Sequence, residues 1–337
     1  MDDPSRSRSP DHLVTLLADG RREAAAASLR QFETAATEDR KRALRALRDL
    51  AADRAAAFDG VVSGLSPFLS DDDRAVRLAA AKLLVTVAES EPGAVVSTVG
   101  PVADRLADED EFYYVRARSA EVLGYVALEF PEAVCSPEIL ADLRVGLSFD
   151  EPEVREKLAK ALEHVALGDP GRLRHQVSTL ADHLDDGEEL VRYHLATALV
   201  AVGSAYPERL TGATEALAGR LDDGTAHVRG RAAEALGLLG RDVTDGPPLP
   251  ESALAALSDD EEEFVGDRAR FALDSVRNGT ASDDPPDGIG SIDGVRRTTG
   301  EAVDAIVAPT TEGECPHCGL ALPETGPPMC PRCGAPR

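Results

Sequence analysis

A Val-Arg pair returns along this chain at nearly constant intervals, and that recurrence constrains the fold more than any other feature. It stands at Val76-Arg77, Val115-Arg116, Val154-Arg155, Val191-Arg192 and Val228-Arg229, with a last variant at Val265-Gly266. Successive spacings are 39, 39, 37, 37 and 37 residues. Four, seven, eight and eleven residues after each valine, small or apolar residues recur. In the first copy they are Ala80, Leu83, Leu84 and Val87; in a later one, Leu195, Ala198, Leu199 and Val202. These offsets trace one stripe of an α-helix. A degenerate seventh copy precedes the others, because Ala43, Ala46, Leu47 and Leu50 fit the same offsets counted from Asp39.

Each copy also holds an earlier helix, ending near Leu69, Leu106, Leu147, Leu184, Leu221 or Leu257. An acidic turn follows, such as Asp71-Asp72-Asp73 or Asp222-Asp223-Gly224. Acids there cap the next helix and complement its positive N-terminal dipole. Pro92, Pro131, Pro170 and Pro207 mark the hand-over between copies, and proline at a first helical turn loses no hydrogen bond. The unit is therefore helix, acidic turn, helix, short loop. A single hairpin cannot bury both apolar faces, but a stack of them makes one continuous core. The expectation is an all-α solenoid of about six to seven helical hairpins. Only 4% of residues are aromatic and none is Trp, which suits helices in close contact better than a β-sandwich.

This pattern resembles the HEAT-repeat family in its shorter, PBS-lyase-type form, across residues 11–278. The motif is an Asp, an Arg six residues on, and a helix of small residues: Asp71 and Arg77, Asp110 and Arg116, Asp186 and Arg192, Asp223 and Arg229. The third copy departs, with Asp150 five residues before Arg155, and the last has Gly266 in place of Arg. The resemblance implies that these residues are structural and form a hydrogen-bond ladder between neighbouring repeats. It also points to enzymes built on such repeats, the bilin lyases and a di-iron hydroxylase. The hydroxylase holds its irons with His-Glu pairs, and none of the seven histidines here is followed by Glu. No P-loop, Rossmann glycine fingerprint or G-x-S-x-G elbow appears either. Cys135, in Val134-Cys135-Ser136, reads as an inert thiol.

Beyond the repeats the sequence divides further. Residues 1–10 are polar and expected to be disordered. Residues 279–313 read as a flexible acidic linker, with room for a short helix around Glu301 to Ile306. Residues 314–337 carry two C-P-x-C-G knuckles, Cys315 with Cys318 and Cys330 with Cys333. Four thiolates complete a tetrahedral shell, which suits one structural Zn²⁺ with no open position for activated water. The spacing resembles the zinc-ribbon family. A segment this short has little core of its own and should fold only with its metal.

The formal net charge is −25, with lysine only at 41, 82, 157 and 160. Such a balance resembles proteins of salt-loving archaea and implies a halophilic origin. It also argues against nucleic acid as a partner, since neither the repeats nor the ribbon offers a basic stripe. No apolar run approaches the roughly 20 residues that span a bilayer, and the expectation is a soluble, cytoplasmic protein. By elimination, the expected role is a protein-protein interaction scaffold. The alternatives are an enzyme or enzyme subunit of the lyase or hydroxylase kind and a nucleic-acid-associated adaptor. A binding face should lie on the concave side lined by the second helices. Residues off the core stripe there are Lys157, Lys160, His164, Tyr193, His194 and Arg231, together with Arg118.

Overall fold

A computed structural model describes residues 9–242, 247–278 and 288–308, together with Leu322. Every regular element among them is helical. The chain divides into two units, Met1–Asp169 and Pro170–Arg337.

Unit 1 contains α1 (Pro10–Ala18), α2 (Arg22–Phe32), α3 (Thr37–Arg54), α4 (Ser66–Leu69), α5 (Arg74–Ser90), α6 (Pro92–Val95), α7 (Val99–Ala107), α8 (Tyr113–Glu129), α9 (Pro137–Val145) and α10 (Pro152–Gly168). Its long second helices α3, α5, α8 and α10 stack side by side in that order. Unit 2 contains α11 (Val177–Ala181), α12 (Glu189–Ala205), α13 (Thr214–Gly219), α14 (Ala226–Asp242), α15 (Glu251–Leu257), α16 (Glu263–Asn278) and α17 (Ile292–Val307). There α12 packs on α14 and α14 on α16.

The recurring valine is the third residue of its helix in all six copies, and each of the six valines is fully buried. Asp39 takes the same third place in α3. The residues four, seven and eight positions on are buried in every one of the six copies. Each buried Val or Leu contributes roughly 1.5–3 kcal/mol, so the stripe is the main cohesive term between hairpins. Small residues on it let neighbouring backbones come close. A Cβ added to Gly124 on α8 would lie 2.9 Å from the Ala161 Cα on α10. One added to Gly237 on α14 would lie 2.9 Å from the Ala272 Cα on α16.

The first helices are short and broken. Pro92 opens α6, while Pro131, Pro170 and Pro207 each open a 3-10 turn where the chain leaves a long helix. Their fixed φ suits a first turn, and their missing N–H leaves no donor unpaired.

The expected acid cap forms at α5, whereas α8, α10 and α12 start without a side-chain cap bond. Asp73 accepts hydrogen bonds from the backbone N–H groups of Ala75 and Val76 at the start of α5. Asp71, Asp108, Asp186, Asp223 and Asp260 each accept the N–H two residues on, at 2.8 to 3.1 Å.

Residues 292–307 depart from expectation. A flexible linker with a short helix near Glu301 is the sequence reading; the structure has the 16-residue helix α17, capped by Ser291 through the Gly294 N–H. Its apolar residues Val295 and Ala302 are buried within unit 2, and that burial is what the local composition does not announce.

Candidate functional site

The repeating arginines form the first constellation. Arg77, Arg155, Arg192 and Arg229 each donate from Nη1 to the carbonyl oxygen six residues before them, at 2.8 to 3.0 Å. From Arg77, Arg192 and Arg229 the guanidinium also reaches the acidic turn of the following repeat. Arg192 holds Asp223 at 2.8 and 3.0 Å, and Arg229 reaches Asp260 at 3.0 Å. Arg40, at the equivalent position of the degenerate first copy, binds Asp71 at 2.8 and 3.0 Å. Burial alone would raise the Asp223 carboxyl, but Arg192, the Thr225 N–H and Arg220 hold it below the usual carboxylate range. The Asp186 carboxylate accepts the Glu188 N–H in its own turn.

Two rungs differ from the motif. Arg77 grips Glu111 with two bonds, at 2.7 and 2.8 Å, instead of neighbouring Asp110. Val115 follows Leu106 by nine positions where Val76 follows Leu69 by seven, so the longer turn brings a different acid into reach. Arg116 donates to the Leu106 carbonyl at 3.1 Å and lies 4.1 Å over the Phe149 ring. Phe149 stands where the other repeats place the aspartate, and the ring face replaces the carboxylate as the partner for the cation.

The second constellation lies three and six residues after each valine. The third position is basic in five consecutive copies: Arg118, Lys157, His194, Arg231 and Arg268. The sixth is Glu in two of them, Glu121 and Glu234. In unit 1, Glu121 bonds Arg118 on its own helix and lies 3.4 Å from Lys157 on α10. In unit 2, Glu234 bonds Arg231 at 2.8 Å and Arg268 on α16 at 2.9 Å. One arrangement is thus built twice: a base and a Glu on one helix, closed by a base from the next. Glu121, Glu234 and Arg268 are absent from the residues singled out by sequence, although the basic column is visible once the copies are aligned.

In unit 1 Glu121 is buried, Arg118 and Lys157 are half-buried, and the three neutralise one another. Burial alone would raise the Glu121 carboxyl, but Lys157, Arg118 and Lys160 bring it down to about 2. Lys157 also meets Glu156 at 2.8 Å. Burial opposes its charge, yet Glu121 and Glu156 hold the ammonium above the usual lysine range. Lys160 donates to the Tyr125 hydroxyl at 3.0 Å and lies 4.8 Å over that ring. Tyr125 donates in turn to Glu89 at 3.2 Å and stacks at 5.2 Å on His164, which is buried. The two lysines are therefore tied into a charge network along α8 and α10.

In unit 2 the expected surface residues are covered. Tyr193 and Arg231 are fully buried and His194 nearly so. The cover is α17. Arg231 donates to the Thr298 hydroxyl at 2.8 Å and to the Tyr193 hydroxyl at 3.3 Å. Glu234 accepts the Gly290 backbone N–H at 2.8 Å through its other oxygen. Ala302, Val303 and Ile306 close over Tyr193 and Val228. Arg268 lies flat on Phe264, 3.5 Å from the ring centre.

The four ribbon cysteines, Cys315, Cys318, Cys330 and Cys333, lie outside the described residues. No cluster of three or more metal-ligating side chains occurs among the residues that are described. Cys135 is half-buried and its thiol donates to the Glu132 carbonyl. No described helix is long and apolar enough to cross a membrane.

No family model matches the chain, and no curated protein does. Solved structures do match. An engineered protein determined as a structural-genomics target is similar with a TM-score of 0.63 and 20% identity, over 92% of this chain and 83% of that one. Another engineered protein matches with a TM-score of 0.56 and 22% identity, over 66% of this chain and 99% of its own. A designed armadillo repeat protein matches with a TM-score of 0.54 and 20% identity, over 64% and 99%. Likeness at these identities speaks to fold alone, and the fold is an armadillo-like helical repeat.

Proposed function

We propose that this chain is a protein-binding scaffold whose partner docks on the second helices of its repeats. One observation carries the reading. The base-Glu-base arrangement of unit 2 already grips a separate stretch of polypeptide by its backbone, through Glu234 and the Gly290 N–H. The same arrangement recurs in unit 1 as Arg118, Glu121 and Lys157, beside Lys160 and Tyr125. Backbone and hydroxyl recognition by side chains on rigid helices is how repeat proteins hold extended or helical segments. Lys157, Lys160 and Tyr125 form the proposed partner-facing patch; His164, expected on that surface, is buried against the Tyr125 ring. His194, Tyr193 and Arg231 serve the unit 2 seat.

The C-terminal knuckles are proposed to hold one structural Zn²⁺ through Cys315, Cys318, Cys330 and Cys333, since the donor set fills a tetrahedral shell with soft thiolates. Metal analysis of the purified chain should find one zinc per chain, lost on Cys315→Ser. The halophilic origin implied by the acid-rich composition sets the conditions for finding a partner. Contacts that survive concentrated salt must rest on burial and short hydrogen bonds, because long-range charge is screened. A photo-reactive residue at position 157 should capture one protein in high salt, and the capture should fail with Lys160→Ala. The same residue at Asp104, exposed on α7, should capture nothing. Equal capture from both positions, or none from 157, would sink the proposal.

A further inference from the structure

The seat under α17 differs from the packing between repeats. Second helices meet mainly through buried Val, Leu and Ala, with a Glu-base pair between α14 and α16. The segment 288–307 also rests on an arginine, a glutamate and a tyrosine, Arg231, Glu234 and Tyr193, with Arg268 bonded to the same Glu234. Of these, Arg231 binds the Thr298 hydroxyl and Glu234 binds the Gly290 N–H. Apolar contact surrounds this polar centre, with Val295 fully buried beside it. At one end Gly290 approaches Leu238 and Phe271 beside buried Ile289; at the other, Ala302, Val303 and Ile306 cover Tyr193 and Val228.

This division has an energetic consequence. Uncovering an apolar seat exposes surface that water disfavours. Uncovering a charged seat returns Arg231, Arg268 and Glu234 to water, which offsets part of the lost contact. Such an element opens locally at lower cost than a core helix. The contacts themselves are those of ligand recognition. They read a backbone N–H, a hydroxyl and a few apolar side chains, and any helix offering these in the same order satisfies them.

We propose that the face formed by Tyr193, Arg231, Glu234, Arg268 and Phe271 is a helix-binding groove, occupied in cis by residues 288–307 and open in trans to a partner helix of the same chemistry. The partner would lead with a glycine in the left-handed conformation that gives its N–H to Glu234. It would carry a hydroxyl two turns on for Arg231, and apolar residues matching Val295, Ala302 and Ile306. The resident segment then acts as an internal competitor, lowering apparent affinity by the fraction of time it is seated. The proposal rests on reading the second helices as the binding face, but concerns unit 2 alone. Its failure leaves the capture at position 157 untouched.

The test uses the full chain and a labelled peptide spanning residues 288–308. Val295 is fully buried, so Val295→Asp should unseat the cis segment. The peptide should bind this variant at least roughly tenfold more tightly than the unaltered chain. A peptide carrying Thr298→Val should bind the variant roughly tenfold or more weakly, reflecting the lost bond to a charged donor. Hydrogen exchange of the variant should rise within 288–307 and stay low across 226–278. Absent binding to the variant overturns the proposal, and so does equal binding of both peptides. Loss of protection across 226–278 also overturns it, because α17 would then be part of the fold's core and not its ligand.

Discussion

Arg192 on α12 spans to Asp223 in the next repeat, taking both carboxylate oxygens at 2.8 and 3.0 Å while a third bond ties it to the Asp186 carbonyl of its own turn. One guanidinium thus fastens two successive turns. The fork is planar and rigid, and an ammonium cannot replace it at three separate acceptors. Arg192→Lys should lower stability by about 1–3 kcal/mol, close to the effect of Asp223→Asn, because each leaves charged groups short of a partner. Urea unfolding of the two single variants and the double variant checks this. The double variant should cost clearly less than the two added together.

Close backbone approach makes a second prediction. A methyl group at Gly124 or Gly237 would meet backbone across the helix interface, and backbone cannot swing aside. Gly124→Ala and Gly237→Ala should each destabilise by about 1–3 kcal/mol through overpacking. Gly100, exposed on α7 with nothing within 4 Å of an added Cβ, is the control. Gly100→Ala should be neutral or stabilise by up to ~1 kcal/mol from helix propensity. Thermal melts of the three variants compare them directly.

These two predictions rest on features that sequence alone exposes in part. The valine register was legible because the apolar stripe repeats with small residues at fixed offsets, and a helix period leaves no other reading. The arginine column was legible for the same reason, but not its partners across the repeat. Glu111 replaces Asp110 because a longer turn shifts the chain, and Phe149 replaces an acid because a ring face also attracts a cation. The buried state of Tyr193 and Arg231 was hidden, since it depends on distant residues: Val295, Thr298 and Thr299 lie 64 to 68 positions beyond Arg231, and Ala302 lies further still beyond Tyr193. Within 292–307, Val295, Ala302 and Ile306 are too few and too mixed with Arg, Thr and Asp to declare a docked helix before its seat is known. Lys157 and Lys160 stand out as rare lysines; apart from adjacent Glu156, their partners Glu121 and Tyr125 lie on another helix, which composition does not order.

Glu121 sets a pH dependence. Its folded carboxyl lies at about 2 against an ordinary 4.5, held down by Lys157, Arg118 and Lys160 against the opposing effect of burial. A depressed carboxyl stabilises the fold fully above its unfolded value and loses that contribution as pH falls toward the folded one. Stability from this group should therefore be complete above about pH 5 and decline between roughly pH 4.5 and 2, on the order of 3 kcal/mol in all. Glu121→Gln should be less stable near neutral pH and show a shallower decline on acidification. Chemical denaturation of both forms at a series of pH values measures the difference. Identical slopes in the two forms would rule out Glu121 as the titrating group.

Gly290 tests how α17 is attached. Its φ is +79°, in the left-handed region where a Cβ is strained, and an added Cβ would also come within 3.0 Å of Phe271 and 3.1 Å of Leu238. The same residue gives its N–H to Glu234, so strain there also misaligns a buried charge-assisted bond. Gly290→Ala should cost the docked segment about 1–2 kcal/mol. The effect should be local. Exchange of the amides in 292–307 should quicken by roughly five- to thirtyfold, the same cost read as an opening equilibrium. The amides of α12 and α14 away from the contact should keep their rates, because their stripe of Val, Leu and Ala is untouched. Uniform quickening across α12, α14 and α16 would show instead that the segment and the repeats open as one body.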